Sequence, residues 1–144
     1  MIANDFVNEV IINTEEDLLN FLNKRPAHNS NHFILTFNEN GFPELSMFVK
    51  DDDSVIYFLG EKNGEAFVSC GNSEKCGTEI FYENTLGSSV TLASENIVSS
   101  KLMIETAKQF LMIIRINTPN TYLKTITDLL VFDFNIQNVL RFKK

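Results

Sequence analysis

The sequence predicts an α+β fold: a mostly antiparallel β-sheet of five to seven strands with two main helices packed against it. Short apolar runs separated by turn residues recur between residues 33 and 83, as strands joined by tight turns require. Two other segments repeat apolar residues at helical spacing, one after Thr14 and one after Ser99 or Ser100. Residues 55–59 (VIYFL) are apolar on both faces, as befits a central strand covered on two sides.

Residues 6–12 (FVNEVII) read as a first strand. Thr14 is the expected N-cap of the first helix, with Asp17 as its capping-box partner. Glu15 and Glu16 are favourable beside the positive helix end. That helix carries Leu18, Leu19, Phe21 and Leu22 and stops before Pro26, since a residue preceding proline disfavours helical geometry. The polar stretch 28–32 reads as a loop, and 33–38 as a strand leading into an Asn40-Gly41 hairpin turn. Strands are expected at 45–50, 55–59, 66–70 and 78–83, the last an outer strand, with a short extended segment at 88–93. In the second helix Met103, Ala107, Phe110, Leu111 and Ile114 form the apolar stripe. Residues 129–136 (LLVFDFNI) favour strand by composition, with helix left open.

With 144 residues, 44% of them hydrophobic, the chain is expected to form one domain over 1–144. A domain of that size buries roughly 68% of its unfolded surface. Thirteen phenylalanines and no tryptophan imply a core of Phe, Ile, Leu and Val. The opening MIANDFVNEV lacks the basic and apolar regions of a secretory signal. No apolar run approaches the roughly 18 residues of a membrane span, so a soluble, cytoplasmic protein is expected.

The net charge of −7 is unevenly spread. Residues 1–105 hold 17 acids and 6 bases, a balance of −11, whereas 106–144 hold 2 acids and 6 bases, a balance of +4. An acidic body disfavours nucleic acid and anionic membranes and speeds encounter with a cationic protein. The acid is concentrated in two turns. Asp51, Asp52 and Asp53 fill one, and Glu61 and Glu65 flank the Lys62-Asn63-Gly64 tip of the other. A turn needs only one or two polar residues to satisfy its backbone, so three consecutive aspartates exceed what turn geometry requires.

Catalytic patterns are not found. The sequence has no Gly-rich phosphate loop, no nucleophile elbow, no His-Glu-x-x-His and no zinc deaminase signature. His28 and His32 are four residues apart, a spacing that ligates metal on a helix, but here they read as exposed loop histidines. Cys70 and Cys76 match neither zinc-knuckle nor redox spacing and are expected as free thiols, one ending a strand and one in a loop. Carboxylates in turns and helix starts stay solvated and ionised, whereas acid–base catalysis needs one sheltered and raised. No cofactor or metal is expected. The residues alone leave open a binding protein for a basic partner, a structural subunit and a small carboxylate-dependent enzyme.

The central hairpin carries a resemblance. An acidic turn, then IYFLG at 56–60, a Gly-containing turn and FVSCG at 67–71 resemble the immunity proteins of bacterial polymorphic-toxin systems. They are closest to the first-numbered Imm family, also found beside contact-dependent growth-inhibition toxins. EIFYEN at 79–84, a helix containing Ala107 and Phe110, and Pro119 follow in the same order, so the likeness spans about residues 40–123. The family pattern has a tryptophan after the proline-containing loop, where this chain carries Tyr122 and Leu123.

The resemblance implies a non-enzymatic inhibitor that binds and neutralises a cognate toxin domain, a nuclease or a deaminase, in the producing cell. Such a toxin needs a basic surface for its substrate, and neither nucleic acid nor membrane is expected as a partner. Candidate partner-binding residues are Asp51, Asp52, Asp53, Glu61, Glu65, Glu74, Glu79, Tyr82 and Glu83, with Phe42 or Tyr82 as an exposed anchor. The acids would steer association while buried aromatic anchors set the lifetime. An uncovered edge strand could pair two copies, and the sequence leaves oligomeric state open.

Overall fold

The structure, a computed structural model, describes residues 1–37, 41–60, 66–83, 87–116 and 141–143. The first strands are β1 (Ile2–Asn4) and β2 (Glu9–Ile11), followed by helix α1 (Glu15–Leu22) and strand β3 (Ser30–Thr36). Next come β4 (Glu44–Lys50), β5 (Asp53–Leu59) and β6 (Ala66–Cys70). Then β7 (Thr78–Tyr82), β8 (Ser89–Ala93), the two-residue β9 (Val98–Ser99), helix α2 (Ser100–Ile116) and β10 (Arg141–Lys143) complete the described elements. The main sheet runs β10-β6-β5-β4-β3-β1-β2, with β9 beside β5, while β7 and β8 form a separate two-stranded sheet. Neighbouring strands in both sheets are antiparallel.

Alternation along β4 and β5 divides the molecule into three layers. Leu45, Met47 and Val49 of β4 and Ile56 and Phe58 of β5 face the helices. They share one buried cluster with Leu18, Phe21 and Leu22 of α1 and Met103, Ala107, Phe110 and Leu111 of α2. Phe48 and Val55 point the other way and pack with Phe81 of β7, Leu92 of β8 and Ile97. The central strand is thus covered on both faces, by helices on one and by the β7–β8 hairpin on the other. Burying a large apolar side chain contributes about 1.5–3 kcal/mol, and two such clusters fix the order of the layers.

Local chemistry sets the helix starts. Thr14 Oγ1 accepts from the Asp17 N–H at 3.0 Å and Asp17 Oδ2 accepts from the Thr14 N–H at 2.9 Å, completing the capping box. At the start of α2, Ser99 Oγ accepts from the Leu102 N–H at 3.2 Å. Lys108 of α2 reaches Glu15 at 2.8 Å and ties the helices together at their surface.

Two expectations need correction. Residues 6–12 do not form one strand: the chain bends at Phe6 (φ 65°) and makes the β1–β2 hairpin. Asp5 Oδ1 accepts from the N–H groups of Val7 (3.2 Å) and Asn8 (2.8 Å), so a short carboxylate closes the turn inside an apolar run. Residues 28–32 are not wholly a loop either, because β3 begins at Ser30 and ends at Thr36 rather than running over 33–38. Its polar start is buried and bonded: Ser30 Oγ donates to Val49 O at 2.7 Å and Asn31 Nδ2 to Lys24 O at 3.1 Å. The expected strand at 129–136 and Asn40 of the Asn40-Gly41 turn lie outside the described residues.

Candidate functional site

One end of the main sheet gathers much of the chemistry that the sequence singled out. The β4–β5 turn holds Asp51 and Asp52, and Asp53 opens β5 beside Ser99 of β9. All three are exposed. Strand β7 lies over this end of the sheet. Lys50 Nζ donates to Ile80 O at 3.1 Å, and the Tyr82 N–H donates to Ser30 Oγ at 3.1 Å. Glu79 and Glu83 are thereby carried to the same end as the aspartates, and exposed Glu74 sits in the loop that leads into β7. Glu61 and Glu65 lie outside the described residues. The strand ends that flank them, Leu59 and Ala66, pair at the opposite end of the sheet.

Of the three aspartates, the turn uses the side chain of one. Asp51 adopts a left-handed conformation (φ 51°), which a short polar side chain tolerates better than most. Its carboxylate accepts from the Asn29 side-chain amide, and its N–H donates to Asn29 O at 3.0 Å. The Asp52 carbonyl accepts from the Ser100 N–H at 2.7 Å and so satisfies a free donor in the first turn of α2. Burial holds the Arg25 guanidinium below its ordinary pKa, and the charge of Asp51 opposes that shift. Asp51 is therefore built into the fold. The side chains of Asp52 and Asp53 are the ones free to face outward.

His32 was expected in an exposed loop, and the structure places it inside instead, only 6% exposed. Its ring stacks on Phe48 with centroids 3.8 Å apart and meets Phe6 at 4.9 Å on its other side. Nε2 shares a 2.6 Å hydrogen bond with Ser46 Oγ, whereas Nδ1 is without a hydrogen-bond partner, 3.8 Å from Glu83. Burial pushes its pKa down to about 4, so the ring is neutral near pH 7. His28 stacks on Tyr82 at 4.1 Å, which anchors the end of β7. The sequence signal for a buried His32 is faint. Its neighbours Ser30 and Asn31 look like loop residues until their strand partners are known.

Tyr82 is half-buried and tethered through its backbone, and Phe42 is 43% exposed. The sequence reading missed Phe6 and Val7, which stand 50% and 55% exposed at the tip of the β1–β2 turn. Beside Val7 lies a cleft of about 350 Å³ lined also by Asp5, Asn8, Lys24, Arg25 and Pro26. Burial alone would raise the pKa of Asp5, but the N–H groups of Asn8 and Val7 and the charge of Lys24 hold it low. The cleft therefore contains an ionised, paired carboxylate and not an acid poised to give up a proton. Glu44 is raised by burial, but it does not line this cleft.

Cys70, half-buried, and Cys76, exposed, are free thiols. Among the described residues, no three His, Cys, Asp or Glu side chains are grouped to hold a metal ion, and no helix is long and apolar enough to cross a membrane. The arrangement is an acidic, rigidly tethered surface beside an exposed apolar tip. Such a surface is suited to docking a protein.

No family model matches the chain. It is similar to the double-stranded DNA deaminase immunity protein of Burkholderia cenocepacia (strain H111), 50% identical over 110 residues that cover 76% of this chain and 88% of that protein.

Proposed function

The chain belongs to the family of that immunity protein, and from this membership we propose that it binds and neutralises a cognate deaminase toxin that acts on double-stranded DNA. It acts by occupying the toxin, not by catalysis. A protein that works on duplex DNA must offer a basic surface to a polyanion, and an acidic partner meets that surface with complementary charge. The observation that carries this reading is the 50% identity to that immunity protein, and the collection of Asp51, Asp52, Asp53, Glu79, Tyr82 and Glu83 at one end of the sheet supports a docking surface there. We assign the interface to that end, with Glu74 at its margin. Glu61 and Glu65, whose flanking strand ends lie at the other end, are left outside it.

Two measurements test the proposal. Co-expression should restore growth to cells that make the cognate double-stranded DNA deaminase. Association of the two purified proteins should be fast at low salt and slow steeply as salt rises, since exposed charges are screened beyond about 10 Å at 0.1 M. Asp52→Lys with Glu79→Lys should lower the association rate roughly tenfold at low salt and change dissociation little. Growth that is not restored, together with no detectable complex, would sink the reading.

A further inference from the structure

We propose that the Phe6–Val7 tip is the apolar anchor of the toxin-binding surface, entering a depression within the deaminase's basic face. The inference rests on the immunity reading above and adds the residues that set the lifetime of the complex. Half-exposed apolar residues are unremarkable singly, but this pair is held out by construction. Phe6 occupies the left-handed region (φ 65°), which a bulky residue enters only where its surroundings impose it. The surroundings do so: the Phe6 N–H donates to Asn4 Oδ1 at 2.6 Å, and Asp5 Oδ1 takes the N–H groups of Val7 and Asn8. Asp5 is itself buried and paired with Lys24 at 3.4 Å.

The ring is also backed from behind. Phe6 rests on His32, and His32 on Phe48, so a column of three rings runs from the tip into the second core cluster. An anchor that is rigid before contact loses little conformational freedom on binding, and preorganised aromatic anchors dominate many interfaces. Charge points to the same occupant. Glu83 lies 3.8 Å from the imidazole beneath the Phe6 ring and is partly exposed, bordering the tip with acid. The nearby cations are offset by acids, Lys24 by Asp5 and Arg25 by the charge of Asp51. Arg25 also donates to the carbonyls of Leu22 (2.6 Å) and Lys24 (2.9 Å). The cleft behind Val7 supplies the relief into which a toxin side chain can fold.

The decisive variant is Phe6→Gly with Val7→Ser. Glycine accepts φ 65° without strain, so the ring is removed while the turn is kept. Binding to an inactivated form of the cognate deaminase domain should show dissociation at least about 30-fold faster, as for hot-spot truncations. Association should stay within about threefold, because affinity changes fall mainly on dissociation. Ile11→Ser and Met112→Ser, at exposed apolar positions elsewhere, should bind as wild type. Wild-type dissociation in the double variant, with the wild-type complex intact, overturns the anchor and leaves the immunity reading standing. No complex with the wild-type chain overturns both. Should the variant unfold, the Val7 methyl resonances of the wild-type protein decide: they shift on complex formation if the tip is buried, and unchanged resonances refute it.

Discussion

Lowering the pH should weaken this fold through His32 in a way that can be separated from its many carboxylates. The imidazole is neutral in the folded state because burial holds its pKa at about 4, against 6.5 when exposed. The unfolded chain therefore takes up a proton first as pH falls. Stability from this group is complete above pH 6.5, is lost between 6.5 and 4, and is level below that window. At 1.36 kcal/mol per pKa unit the whole loss is about 3 kcal/mol, of which about 2 kcal/mol is gone by pH 5. Glu83 could oppose this by pairing with a protonated ring. At 3.8 Å, with its side chain 35% exposed, it is too distant and too solvated to offset burial. Urea denaturation of wild type and His32→Gln between pH 7.5 and 5 isolates the effect, since other titrations cancel in the difference. The wild type should lose about 2 kcal/mol relative to the variant over that range. Parallel stability curves, or an NMR titration of His32 with a midpoint at 6.5 or above, would refute the reasoning.

Three further outcomes follow from packing. At Gly71 an added Cβ would stand 1.8 Å from the Ile97 carbonyl oxygen, a backbone atom that cannot swing aside; Gly71→Ala should cost about 2–3 kcal/mol, read as a lower melting temperature. Thr14→Ala removes the cap of α1 and should cost about 1 kcal/mol in urea denaturation, with the helix otherwise intact. Phe110→Ala empties a site that α2 buries against α1 and the sheet, and should cost about 3–5 kcal/mol by the same assay.

Elements whose signal is local were legible in the sequence. The Thr14–Asp17 capping box, the helical stripe of α2 and the doubly apolar run of β5 each specify their structure through neighbours a few residues away. The misread segments depend on partners distant in sequence. Ser30, Asn31 and His32 are bonded to Val49, Lys24 and Ser46, and a polar strand start cannot be told from a loop without them. At the β1–β2 turn the cue was present in Asp5 and Asn8, but the apolar pattern of residues 6–12 outweighed it. The acidic candidates are legible one by one in the sequence. Their gathering depends on β7 lying over the sheet, which is a tertiary fact with no signature in spacing.

The β7–β8 hairpin separates two tasks that a single-layered protein would have to combine. Phe81 and Leu92 turn inward and hold the hairpin to the sheet, while Ile80 and Thr91, paired across the two strands, turn outward into solvent. Substitutions at the outward positions leave the inward rings and the tethers from Lys50 and Ser30 untouched. Such a surface can be rewritten residue by residue while the protein beneath it keeps its shape. A lineage under pressure to follow a changing adversary thus has ground on which to change without first losing its fold.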